Sequence, residues 1–413
     1  MRLFLGLKLL YLEVDVLNAY VLYALFNTLE MVCPSLRSLH LSTPETRIVT
    51  FPWAVDSLHC LEVLSCPDFT LPDAALRTLA ASRTLCTLHI NNDSEDLLRC
   101  ISTQEPSFSN LEDLFVRTSR IAGCSQLINQ IKPIHLRFLE VSHAENVIPL
   151  ESDVRLFFQV LQDCCSHTQL ISIRLGQDYD EDVDYGLSGD NFAIATVAPL
   201  FAFKNLEELE LIIEHPFDFG NACVETMTAA WPRMKLFHLG STSSEQNALD
   251  MTLDGLIPMA RRWPDLNSLS ISFCAVTGDP HVTPHRPGGG ACCPNLTTFY
   301  VGCSTIYSEA GTIAAFLTDL FPNLTGIIAE DTHEADWESV EELLNAFHMV
   351  RKQERAWSAQ VCLHSNVLES TTDLVDLLVR VSGVSTGQAI YTCNTQYLHE
   401  SCIVLKCITI HKL

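Results

Sequence analysis

The stretches Pro34–Leu41 (PSLRSLHL), Lys204–Leu211 (KNLEELEL), Pro232–Leu239 (PRMKLFHL), Pro264–Ile271 (PDLNSLSI), Pro294–Val301 (PNLTTFYV) and Pro322–Ala329 (PNLTGIIA) decide how this chain folds. Each carries an apolar residue, two intervening residues, a second apolar residue, one more, and a third. Weaker copies begin at Leu7, Leu61, Leu85, Leu111, Leu136 and Leu170, which makes twelve with those at Leu36, Leu206, Met234, Leu266, Leu296 and Leu324. A single copy means little, because any buried strand can produce one. Twelve in succession, about 29 residues apart on average, form an internal repeat.

Stretches with helical spacing lie between these strand candidates, at 73–82, 153–165, 222–231, 252–263 and 308–321. Several end at a proline, such as Pro232, Pro264, Pro294 or Pro322, which cannot continue a helix and opens the turn into the next strand. One helix–turn–strand unit cannot bury its apolar side alone. The spacing therefore predicts an α/β leucine-rich-repeat solenoid, a curved horseshoe of the ribonuclease-inhibitor type, with parallel strands on the concave side and helices on the convex side. The consensus adds an Asn or Cys three residues after the last apolar position to satisfy backbone groups of the turn. Only Cys274 supplies it; Asp15, Pro44, Asp93, Ser119, Thr242 and Ser304 stand at equivalent places, which suggests an irregular array.

The predicted domain runs over 1–357. The segment 337–357 closes it as a capping helix, with Trp337, Val340, Leu343, Leu344, Phe347, Val350 and Trp357 on one stripe. Residues 358–413 lose the repeat and read as an appended tail of unassigned fold. Two insertions, at 177–191 and 277–290, read as solvent-facing loops.

Composition excludes several functions. The 413 residues are 47% hydrophobic and 18% charged, too apolar for disorder. A net charge of −25 repels phosphate backbones and anionic lipid, so nucleic acid and membrane surfaces are not expected partners. The apolar N-terminus is interrupted by Lys8, Glu13 and Asp15 and reads as mature structure rather than a signal peptide, and no uninterrupted window is long enough to span a bilayer. Most of the seventeen scattered cysteines read as buried thiols of a reducing compartment, cytoplasmic or nuclear.

Chemical motifs are scarce. The alternating acids Asp178, Asp180, Asp182 and Asp184 fail the calcium-loop requirement of Gly at position six and Glu at twelve in either register, and read as a solvated loop. His281 and His285 near Cys292 and Cys293 lie in a Pro-rich loop without a second ligand pair, so neither a metal nor any cofactor is assigned. No nucleophile elbow, phosphate loop or dinucleotide fingerprint appears, and no catalytic residue is assigned. The candidate site is instead the row of residues between the last two apolar positions of each repeat: Tyr11, His40, Ser65, His89, Phe115, Glu140, Arg174, Glu210, His238, Ser270 and Tyr300. These should point into the groove, and aromatic residues with isolated charges suit a protein or peptide interface.

The run from Val197 through the AWP of 230–232 to the terminal WESVEELLNAFHMVRKQERAW of 337–357 resembles the leucine-rich-repeat region of the F-box-like protein families of mushroom-forming fungi, well over 190–357 and loosely before it. The resemblance implies a substrate receptor of a cullin ubiquitin ligase: a Skp-type linker docks on an F-box while the repeats hold the target. The F-box segment itself is not in the sequence, whose Met1 falls almost on the first repeat. The alternative is therefore a free-standing repeat scaffold without ligase attachment.

Overall fold

A computed structural model describes residues 7–13, 33–42, 49–50, 59–71, 73–92, 108–143, 149–177, 192–213, 217–240, 250–276, 287–329, 333–354, 356–357, 389–391 and 410–412. The acidic loop from Asp178 to Asn191 and the histidine loop from 277 to 286 lie outside the described residues. The chain divides into two compact units, Met1–His348 and Met349–Leu413. The only strands described in the second are Ala389–Tyr391 and Ile410–Lys412, an antiparallel pair.

The first unit is built on twelve strands in chain order: β1 (Leu9–Glu13), β2 (Ser38–Ser42), β3 (Val63–Thr70), β4 (Thr87–Asn91), β5 (Asp113–Thr118), β6 (Phe138–His143), β7 (Ser172–Gln177), β8 (Glu208–Ile212), β9 (Leu236–Gly240), β10 (Ser268–Ser270), β11 (Thr298–Gly302) and β12 (Gly326–Ala329). Each pairs in parallel with the next, so spatial order equals sequence order. There is one strand for each sequence repeat. A short strand, Val49–Thr50, adds to the end of β3.

The strands take their alternation directly from the repeat. In β8 the leucines Leu209 and Leu211 are buried while Glu208, Glu210 and Ile212 are only partly so. The first apolar residue of each triplet, from Leu36 to Leu324, is also buried. Ahead of most strands, one carbonyl accepts two successive N–H groups from the next repeat: Glu62 O takes Cys86 and Thr87, Cys86 O takes Glu112 and Asp113, and Ile171 O takes Glu207 and Glu208. This shared acceptor keeps the register constant from one coil to the next.

Helices α1 (Asp73–Ala81), α2 (Ile121–Ile131), α3 (Glu151–Cys164), α4 (Ile194–Val197), α5 (Asn221–Ala230), α6 (Leu256–Arg262), α7 (Ala310–Leu320) and α8 (334–354) return the chain between strands or follow the last one. Their buried residues join the strand leucines in one continuous core. Strands sit about 4.8 Å apart and packed helices 8–10 Å apart, so such a layer curves toward its strands. The helix-free sheet face is thus the inner one. This is a leucine-rich-repeat solenoid.

Four of the five helices expected from sequence appear within two residues of both predicted ends; the fifth, α6, begins four residues late, after a 3-10 turn over Leu253–Gly255. In α6 Pro258 sits in the first turn, where its missing N–H costs nothing. Helix α2 was not anticipated. It has no acid in its first turn, no side-chain N-cap and an internal Gly123, so none of the usual markers announces it. Trp231, Trp263 and Phe321 end α5, α6 and α7 in nearly the same backbone conformation (φ −116 to −125°, ψ 66 to 77°), each donating its N–H to the carbonyl four residues back. The residue that precedes proline closes the helix and fills the core with its ring.

Two expectations need correction. The stripe assigned to the capping helix is only partly buried: Trp337, Val340 and Leu344 are in the core and Phe347 packs on it, whereas Leu343, Val350 and Trp357 are exposed. At about 100° per residue, those three sit progressively farther around the helix from the buried seam. The second concerns the turn. Cys274 is only half buried; its backbone N–H donates to Met251 O, and the side chain that satisfies the turn is Ser304. Fully buried, Ser304 accepts from the Phe273 N–H at 2.8 Å and donates to Val301 O at 2.5 Å. A hydroxyl does there what the consensus assigns to an amide or thiol.

Candidate functional site

The residues singled out between apolar positions form one unbroken line across the inner face. Tyr11 pairs with His40, His40 with Ser65, Ser65 with His89 and His89 with Phe115. Phe115 pairs with Glu140, Glu140 with Arg174, and Arg174 with Glu210. Glu210 pairs with His238, His238 with Ser270, and Ser270 with Tyr300. Pairing of Tyr300 with Ile328 extends the line to β12.

The line has three stretches of different character. On β1 to β5 it is neutral and aromatic. Tyr11 stacks on His40 at 4.3 Å between centroids, and His89 tilts against Phe115 at 5.5 Å. His40 hydrogen-bonds Ser38 at 2.8 Å, and His89 approaches Ser65 at 3.3 Å. Burial holds both imidazoles below their ordinary pKa, so they are uncharged at neutral pH. At β10 to β12 the line is again uncharged, ending in the exposed Tyr300 and Ile328.

The centre is charged. Arg174 Nη2 lies 3.0 Å from Glu208 Oε2, and its Nε lies 3.6 Å from Glu210. The Ser172 hydroxyl donates to the same Glu208 oxygen at 2.9 Å. Glu210 also faces His238 Nδ1 at 3.5 Å, while His238 Nε2 meets the Ser268 hydroxyl at 2.7 Å. Hydrogen bonding from His238, and then the charges of His238 and Arg174, outweigh burial and hold the Glu210 carboxyl below its ordinary range. Arg174 is therefore pre-organised by carboxylates on the next strand.

That preorganisation depends on residues the sequence reading passed over. Ser172 and Glu208 belong to a second line, two positions before the first and on the same face, which also carries Thr87, Asp113 and Phe138. The period-two alternation of each strand is the signal that finds them. A second missed feature is the asparagine immediately before several leucine triplets. Asn110, Asn205, Asn295 and Asn323 each donate a side-chain N–H to a carbonyl one repeat back: Arg83, Thr168, Pro264 and Pro294. They stitch successive turns together beside the inner face, and the recurring Asn-Leu dipeptide is visible in the sequence.

Among the described residues no three or more His, Cys, Asp or Glu side chains are placed to share a metal ion. The twelve described cysteines are free thiols, and burial pushes Cys165 up to about 12 and raises Cys66 and Cys293, so these three stay protonated at neutral pH. No helix among the described residues is long and apolar enough to cross a membrane.

No protein-family model and no curated protein matches the chain. Among solved structures it is similar to a leucine-rich-repeat protein of Leptospira interrogans, at 14% identity and a TM-score of 0.41 over 79% of this chain and 73% of that one. It is similar also to an internalin of Listeria monocytogenes, at 13% identity and a TM-score of 0.35 over 75% of this chain and 79% of the internalin. A third is the plant peptide hormone receptor RGFR1 in complex with RGF2, at 12% identity and a TM-score of 0.38 over 79% of this chain and 51% of the receptor. Identities this low concern the fold alone.

Proposed function

We propose that this chain is a non-enzymatic recognition module that holds a protein or peptide along its inner sheet face. The observation that carries the reading is the unbroken cross-strand line from Tyr11 to Ile328, with exposed aromatic residues toward its ends and a fixed ionic centre. Aromatic and Arg side chains contribute disproportionately to binding energy, and rigid strands present them at little entropic cost. The many free thiols fit a reducing compartment, the cytoplasm or nucleus.

Within this reading, the likeness of residues 190–357 to fungal F-box-like repeats favours a target receptor of a cullin ubiquitin ligase, with a Skp-type linker and cullin as further partners. Co-purification of the full-length protein from its native host tests both levels. Skp-type and cullin subunits should accompany it together with a target, and replacing Phe115, Arg174 and His238 by Ala should release the target. A target retained without ligase subunits supports a free-standing scaffold instead. A target held as well by the triple variant refutes the inner-face reading.

A further inference from the structure

The carboxylates of the inner face are nearly all engaged. Asp113 accepts the Thr87 hydroxyl at 2.9 Å, Asp68 lies 3.7 Å from Arg117, and Glu208 and Glu210 hold Arg174. Glu140 is different. It sits half buried at the middle of the line, between Phe115 on β5 and Arg174 on β7, and has no ion pair or side-chain hydrogen bond among the described residues. Arg174 is in register with it but leans the other way, toward two acids on β8. A carboxylate is thus left open beside the partly exposed ring of Phe115, one strand spacing away at about 4.8 Å.

From this arrangement we infer that the centre of the inner face takes a Lys or Arg side chain from an extended segment of a protein partner, its cation lying over the Phe115 ring and against the Glu140 carboxylate. Charge complementarity points to this occupant. Strands β5 to β8 present Asp113, Glu140, Glu208 and Glu210 on the open face around the guanidinium of Arg174, while the second guanidinium there, Arg117 of β5, is matched by Asp68 at 3.7 Å, within a chain of net charge −25. An acidic segment would meet three more carboxylates than cations there and lose binding. A cation instead gains a charge-assisted hydrogen bond and a ring face together, and Arg has the geometry for both. Phe138 is less available, because Arg137 already lies 5.7 Å from its ring centroid. The neutral aromatic stretch from Tyr11 to Phe115 would then accommodate the apolar flank of the same segment.

This inference rests on the inner-face reading, and the test separates the two. A random-peptide phage library is panned on the full-length protein, and selected peptides are measured by fluorescence anisotropy against wild type, Glu140→Gln, Glu140→Arg and the Phe115/Arg174/His238 triple alanine variant, each confirmed folded by its melting curve. We expect selected peptides rich in Lys or Arg beside apolar residues, about tenfold weaker binding to Glu140→Gln, and reversed selection toward Asp or Glu with Glu140→Arg. A pool that is empty or lacks basic residues, or peptides indifferent to both Glu140 variants, overturns the inference. If such peptides are still lost on the triple variant, the inner-face reading survives without it; peptides that bind the triple variant normally sink both.

Discussion

Replacing Ser304 by Ala asks which side chain sustains the turn after β10, the one the repeat consensus names or the one found in the core. The Ser304 hydroxyl satisfies the buried Phe273 N–H at 2.8 Å and donates to Val301 O. Its removal orphans a fully buried donor, which costs about 1–3 kcal/mol. The lost bond to Val301 O costs about 0.5–1.5 kcal/mol more, less than a second orphan would, because that carbonyl still accepts the Ser304 N–H at 3.1 Å. Together this is about 1.5–4.5 kcal/mol, concentrated where the cap is anchored, since Trp337 Nε1 donates to Ser304 O at 2.8 Å. Cys274→Ala should cost under about 1 kcal/mol, because the thiol is half buried and the Met251 bond comes from its backbone. Local opening is the quantity to measure, because a repeat array need not unfold in one step. Native-state hydrogen exchange read by mass spectrometry over 271–276 should rise at least about tenfold in Ser304→Ala, since 1.4 kcal/mol is a factor of ten. It should change little in Cys274→Ala. Equal acceleration in both, or protection in Ser304→Ala like that of wild type, would refute the assignment.

Two further outcomes follow from buried polar groups. Trp231 Nε1 donates to Leu200 O at 3.1 Å, whereas the buried Trp263 Nε1 has no partner among the described residues; Trp231→Phe should therefore be the more destabilising by about 1–3 kcal/mol in urea unfolding, and equal losses would show that only ring volume matters. His89 is held neutral by burial, so as pH falls below 6.5 the unfolded chain takes up its proton before the folded one and stability declines toward the lowered folded value; the drop between pH 7.5 and 5.5 should shrink in His89→Gln, and an unchanged drop would exclude this imidazole as a source.

The array of strands was legible because its cause is local. Each leucine triplet alternates with a period of two, and several helix ends are written in a residue that precedes proline, so counting the triplets was counting the strands. The row Tyr11 to Tyr300 was legible for the same reason, since a constant register turns equal positions in successive repeats into spatial neighbours. What sequence could not decide were the choices made between repeats. Arg174 turns toward Glu208 and Glu210 rather than Glu140 because two carboxylates lie on that side, one of them also held by Ser172 of β7, and only the pairing of β7 with β8 brings them there. Ser304 replaces the consensus turn residue because its depth, not its identity, makes one hydroxyl sufficient. In the cap, Leu343, Val350 and Trp357 are as apolar as Trp337, yet burial went to the side of the helix that meets the last coils of the ladder. Periodicity along the chain specifies which residues share a face; which of them spend their charge on each other and which remain open depends on distances between chain segments, and those exist only once the coils have stacked.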